Sequence, residues 1–277
     1  MLPRRDLVAV LVAMVGLTAI SWVYLVWMST EMSSPNAACM IPGSGGGLLC
    51  GIGGLMGLQS VDKAGETVSG GWSAGYFFMM LTMWVVMMVG MMVPSATPMA
   101  MMYAGIARKS VSQQRPIAGT YVFVLGYLIM WALFSLGATL AQWGLDAAAL
   151  LSPQMVVTSP WLGAGLLIMA GIYQLTPAKQ ACLTHCRMPA HFIARHWRDG
   201  TLGAVRMGMH HGAYCLGCCW VLMLLLFFGG VMSLFWIVLI TLFVLLEKLL
   251  PCGGAGGRYC GAIMVGIGAG LMIMLMV

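Results

Sequence analysis

The sequence predicts an all-α fold: a polytopic membrane helical bundle of about seven transmembrane helices, N-terminus inside and C-terminus outside. Three observations predict it. The 277-residue chain is 61% hydrophobic and 7% charged, whereas a soluble domain carries about 25% charged residues. Its apolar residues fall into long runs, and a spanning helix needs about 20 of them. Its basic residues then alternate with those runs in a one-sided way. The net charge of +6 is therefore a topology signal, and no nucleic-acid partner is expected.

The runs are taken in order. The opening MLPRRDLVAV resembles the start of a signal peptide. The apolar stretch from Leu7 to Met28 is too long for an h-region, and no small-residue cleavage site follows, so 7–28 is read as a retained first helix. Residues 29–71 form an outer loop, and its GSGGGLLCGIGGLMGL stretch is too rich in glycine for a stable helix. Further spans are expected near 73–105, 117–142, 161–177, 208–229, 231–249 and 259–277. In the second, Pro94 and Pro98 predict a kink or break. Between the fifth and sixth, Gly229 and Gly230 predict a tight helical hairpin. No repeat or second domain is evident, so 1–277 reads as one transmembrane domain with the bundle over 72–277.

With seven spans, Arg4, Arg5, Arg108, Lys109, Arg115, Lys179, Arg187, Arg195, Arg198, Arg206, Lys248 and Arg258 all fall on one side. Glu31, Asp62, Glu66 and Asp146 fall on the other, with Lys63 the lone basic residue there. By the positive-inside rule the first group faces the cytoplasm.

This topology sorts the cysteines. Cys39 and Cys50 lie outside, where a disulfide is a fair expectation. Cys182, Cys186, Cys215, Cys218, Cys219, Cys252 and Cys260 lie in or near the inner half, as do all five histidines. Thiols there are kept reduced. The stretch HHGAYCLGCC over residues 210–219 puts His211, Cys215, Cys218 and Cys219 at i, i+4, i+7 and i+8, one helical face. His210 points elsewhere. CLTHC offers Cys182, His185 and Cys186 on one face if the helix continues past Pro177. Thiolate and imidazole suit Cu(I) and Zn(II). The plain alternative is packing, since Gly208, Gly212 and Gly217 supply the small residues of a close helix contact and cysteine fits such an interface. Covalent haem needs C-x-x-C-H, and Trp220 follows Cys219 here. A thioredoxin-like motif needs a βαβ setting.

Met80, Met83, Met87 and Met91 recur at helical spacing. Thioethers favour Cu(I), so the stripe could relay it, although methionine commonly just fills gaps between helices. Glu247 is the one carboxylate clearly within a span. With Lys248 beside it, snorkelling to the interface is the default, and an intramembrane ion partner the sharper option. No paired carboxylates, phosphate loop or nucleophile triad appears, so no hydrolysis or group transfer is expected and no catalytic residue is named.

The segments MWVVMMVGMMVPSATPM, YQLTPAKQACLTHCRMP and HGAYCLGCCWVLM followed by EK resemble a bacterial family of predicted metal-binding integral membrane proteins, a domain of unknown function. The similarity covers roughly Tyr76 to the C-terminus. It implies a polytopic fold in a bacterial inner (cytoplasmic) membrane, and copper handling. Its motif positions here include Met87, Met88, Met91, Met92, Pro94, Ser95 and Pro98 in the second helix. Cys182, His185, Cys186 and Arg187 follow, then His211, Gly212, Cys215, Gly217, Cys218, Cys219 and Trp220, and last Glu247 and Lys248.

The combined expectation is a copper-binding membrane protein that transfers or delivers copper to a membrane cuproenzyme. The metal ligands would be drawn from Cys182, His185, Cys186, His211, Cys215, Cys218, Cys219, Met87 and Met91. Cu(I) is the expected ion, with zinc possible. Two alternatives stand beside it: an accessory subunit of a larger membrane complex with thiols as packing, and a thiol-redox protein cycling Cys215 and Cys218 with a quinone.

Overall fold

A computed structural model of the chain describes residues 4–33, 72–112, 119–152, 155–250 and 253–276. Cys39, Cys50, Cys252 and nearly all of the glycine-rich loop lie outside these residues. The elements are α1 (Arg4–Ser33), α2 (Ala74–Ser112), α3 (Thr120–Ala147), α4 (Pro160–Leu175), α5 (Pro177–Arg187), α6 (Pro189–His196), α7 (Gly200–Leu224), α8 (Leu226–Gly229), α9 (Leu234–Leu249) and α10 (Gly253–Met276). Among the described residues there is no strand, and Leu151 and Val157 form an isolated bridge.

Five helical stretches are long and apolar enough to cross a membrane: Val8–Thr30, Ala74–Ala107, Thr120–Ala147, Gly200–Gly229 and Gly254–Met276. The pair α4 and α5 makes a sixth if its 64° bend lies within one span. Helix α9 has 16 residues, about 24 Å at 1.5 Å per residue, short of a bilayer core of about 30 Å. Val12, Val15 and Ile20 of α1 and Ile263, Ile267 and Ile273 of α10 are exposed, as suits helices whose outer faces meet lipid.

The expected break in α2 is corrected, and the helix expected over CLTHC is present. Helix α2 does not break at Pro94 or Pro98; it is continuous through both. Pro94 has no N–H to donate to the carbonyl four residues back. That carbonyl belongs to Gly90, and the Trp22 indole of α1 donates to it at 3.2 Å. Ser95 and Thr97 hydroxyls donate to the carbonyls of Met92 and Val93 at 2.9 and 3.1 Å. The acceptor that Pro94 frees at Gly90 is thus satisfied from outside the ladder. At Pro177 the opposite holds, and the helix stops. Thr176 ends α4 and caps α5 by accepting from the Lys179 amide, with Pro177 in the first turn.

Helices α2 and α3 run antiparallel. Tyr103 stacks on Phe123 with centroids 4.7 Å apart, Tyr127 OH reaches the Met92 carbonyl at 3.1 Å, and Trp84 donates to Gln142 at 2.7 Å. Helices α3 and α7 run parallel and touch through glycines. Gly126 faces the Val205 carbonyl, Gly208 faces the Phe123 carbonyl, and a Cβ on Gly212 would lie 2.8 Å from Met130 Cβ. Gly171, Gly261 and Gly268 serve the antiparallel pair α4 and α10 in the same way. The α8–α9 turn pivots on Gly230 at φ 97°, and Phe228 packs edge-on to Trp236 across it. In the larger of two buried clusters, Met80, Met83, Met87, Met88, Met91 and Met92 join Cys215, Cys218 and Cys219.

Candidate metal centre

The helical repeat of α7 turns His211, Cys215, Cys218 and Cys219 inward, at 3%, 2%, 1% and 1% exposure. Cys218 and Cys219 each donate their thiol to the Cys215 carbonyl at 3.0 Å. This leaves Cys215 Sγ to outside partners. Tyr127 OH of α3 lies 3.1 Å from it, either atom donating. Lys248 Nζ of α9 donates to it at 2.9 Å. Lys248 Nζ also donates to Ser95 Oγ at 3.2 Å, and Ser95 in turn donates to the Met92 carbonyl. One sulfur thus ties together α2, α3, α7 and α9.

Helix α5 supplies the fourth thiol. Cys186 comes within hydrogen-bonding reach of both Cys215 and Cys218, and Cys219 is likewise in reach of both. Cys182 stands at the rim. Its sulfur would lie 2.9 Å from a Cβ at Gly217, so that glycine lets α5 approach α7. His185 stacks on Tyr214 at 4.3 Å, and its Nδ1 contacts the Ala181 carbonyl at 2.8 Å. Neither of these contacts is with a thiol. His210 faces His196 and Tyr214, away from the cluster. Cys182, Cys186, Cys215, Cys218, Cys219 and Cys260 are all free thiols.

A second polar layer lies beside the first. Lys179 is fully buried and pairs with Glu247 Oε1 at 2.5 Å, with the Gln174 side-chain amide oxygen Oε1 as its other acceptor. Gly257 of α10 leaves the space that the Glu247 carboxylate occupies. Assigning Lys179 to a cytoplasmic loop is thus corrected. The bend at Thr176 turns it into the protein. Lys248 does not snorkel either; it is 7% exposed and reaches the thiols.

Among the described residues, no three or more His, Cys, Asp or Glu side chains stand as a preformed metal cage. The donor chemistry nevertheless fits a soft ion. Four thiols converge, and His211 Nδ1 is a buried nitrogen with no hydrogen-bond partner. A buried cation stands against the central sulfur, where a thiolate would compensate it. Met87 and Met91 are buried in the same core cluster as the cysteines. Tyr127 is the participant that sequence reasoning missed. The only available signal was its place on the helix facing the Gly208 and Gly212 notch.

A protein-family model described as PpoB2, copper chaperone, matches residues 81–271. That range takes in α3 to α9 and most of α2 and α10, and with them every residue of the thiol cluster. No curated protein matches the chain, and no solved structure does.

Proposed function

The chain belongs to the PpoB2 copper chaperone family, and on that premise we propose that its thiol cluster carries Cu(I) as cargo within the membrane. Cys215, Cys218, Cys219 and Cys186 are the candidate donors, two of them binding one Cu(I) as thiolates at a time, with His211 as a nitrogen donor. Cys182 and His185 at the rim pass the ion between the cluster and the face where α5 ends. Met87 and Met91 extend the soft-donor path along α2. On this reading the five long apolar helices, the bent pair α4–α5 and the shorter α9 make up seven spans, N-terminus inside, with the thiols in the cytoplasmic half of a bacterial inner membrane. The recipient is a membrane cuproenzyme.

The observation that carries the reading is the contact of Lys248 Nζ with Cys215 Sγ at 2.9 Å. Lys179 already has the carboxylate of Glu247. Two thiolates holding one Cu(I) bear a single net negative charge, which the Lys248 ammonium offsets. A buried charge is tolerated when paired in this way and costly when not. Zn(II) on the same two thiolates is already neutral, so the lysine disfavours it. Copper loading displaces the thiol protons, which frees the Cys218 and Cys219 sulfurs from the Cys215 carbonyl.

Metal content of purified protein tests this. Wild type reconstituted under reducing conditions is expected to hold Cu(I). A variant with Cys215→Ser, Cys218→Ser and Cys219→Ser is expected to lose the tightly bound ion. Equal copper in both would refute the assignment.

A further inference from the structure

At the far end of the methionine stripe the structure places a second group of soft donors. Gln142 of α3 is 2% exposed. Its oxygen accepts from the Trp84 indole at 2.7 Å. Its amide nitrogen donates to Met80 Sδ at 3.5 Å and to Met155 Sδ at 3.3 Å. One buried amide nitrogen thus brings two thioethers, from α2 and from the α3–α4 connection, to within 3.5 Å of itself. Thioether sulfur is a weak acceptor, so a buried amide with both donations on sulfur is poorly compensated as packing alone.

The second observation is the backbone of Met155. Its φ is 57°, a conformation that residues with side chains rarely adopt and that persists only where the surroundings impose it. The surroundings do so here. Met155 N donates to the Ser152 carbonyl at 2.8 Å, Ser152 N to the Val156 carbonyl at 2.8 Å, and Val157 N to the Phe227 carbonyl of α8 at 2.9 Å. Ser152 Oγ accepts from the Val156 amide. The connection is tied down so that its strained residue buries a thioether, at 7% exposure, over Gln142.

We propose that Met80 and Met155, oriented by Gln142, form a second binding site for a soft monovalent cation, Cu(I) or its mimic Ag(I). Thioethers select such ions over harder ones. The proposal rests on the copper reading above and extends it. The site lies twelve residues along α2 from Met92, about 18 Å from the level of the thiols. Met83, Met87 and Met91 lie between, at successive steps of about 4.5, 6 and 6 Å. The thioether pair exchanges copper at the end of the bundle that carries Asp146, and the thiols hold it deeper.

The test uses full-length protein in lipid nanodiscs and titrates Ag(I) under reducing conditions. The starting chain carries serine in place of all nine cysteines, and is expected to retain one Ag(I). Met80→Leu and Met155→Leu are then added singly. Leucine conserves volume, and either change is expected to weaken the remaining site at least tenfold. Because each suffices, a variant that fails to fold leaves the other to decide. Met99→Leu, a buried methionine in a different cluster, is expected to change nothing. No Ag(I) on the cysteine-free chain, or retention unaffected by either methionine change, overturns the proposal. Undiminished total binding after the cysteine changes, with none lost on the methionine changes, would instead count against the thiol site as well.

Discussion

Lys248 occupies a place that a lysine in a membrane helix ordinarily avoids, with its ammonium against a thiol and a hydroxyl. If its charge offsets a copper dithiolate, Lys248→Met keeps the volume and removes the compensation. The expected result is a Cu(I) affinity lower by roughly tenfold, about 1.4 kcal/mol, in competition with a chromogenic chelator, and a gain in relative preference for Zn(II). Lys179 and Glu247 predict differently. Removing one partner of a buried pair strands the other, so Lys179→Met is expected to cost about 3–5 kcal/mol in denaturant unfolding. The double change Lys179→Met with Glu247→Leu is expected to restore part of it, because no charge is then left unpaired. These residues mark where sequence reasoning stopped. The spacing of His211, Cys215, Cys218 and Cys219 was readable because a helix repeats locally. The placement of Lys179 depended on a bend angle at Thr176, which no local pattern encodes.

Helix α7 was legible in its packing as well as its ligand face. The small residues Gly208 and Gly212 predicted a close neighbour, and α3 fills that role, with Gly126 answering from its own side. The neighbour's identity was not legible, and so neither was Tyr127. A side chain at Gly208 would collide with the Phe123 carbonyl. Gly208→Leu is therefore expected to separate α3 from α7, destabilise the protein by about 3 kcal/mol, and withdraw Tyr127 from Cys215. Thermal unfolding and copper retention should fall together. In α2 the prolines misled because proline rules describe a helix alone, whereas Trp22 of another helix supplies the missing donor. Trp22→Phe is expected to cost about 1 kcal/mol and to raise hydrogen exchange around Gly90, with little change elsewhere.

At the scale of the molecule, the all-α architecture and its long apolar helices follow from composition and run length. The thiol layer depends on five helices meeting, α2, α3, α5, α7 and α9, and helix order alone does not fix that. Trp72 bonds Asp146 at 2.8 Å, which sets the start of α2 and the end of α3 at the same end of the bundle. The positive-inside argument turns that end outward. In intact cells, an impermeant maleimide is expected to label Asp146→Cys and to spare Arg198→Cys. The reverse pattern would invert the orientation and with it the direction of copper transfer. The claim at the centre is that the converging cysteines are the copper site. Copper-edge X-ray absorption on the Cu(I)-loaded, full-length protein tests it most directly. The account predicts a Cu(I) edge with a thiolate-dominated shell that disappears when Cys215, Cys218 and Cys219 are changed to serine. A shell of nitrogen and oxygen alone, or a sulfur shell unchanged in that variant, would contradict it.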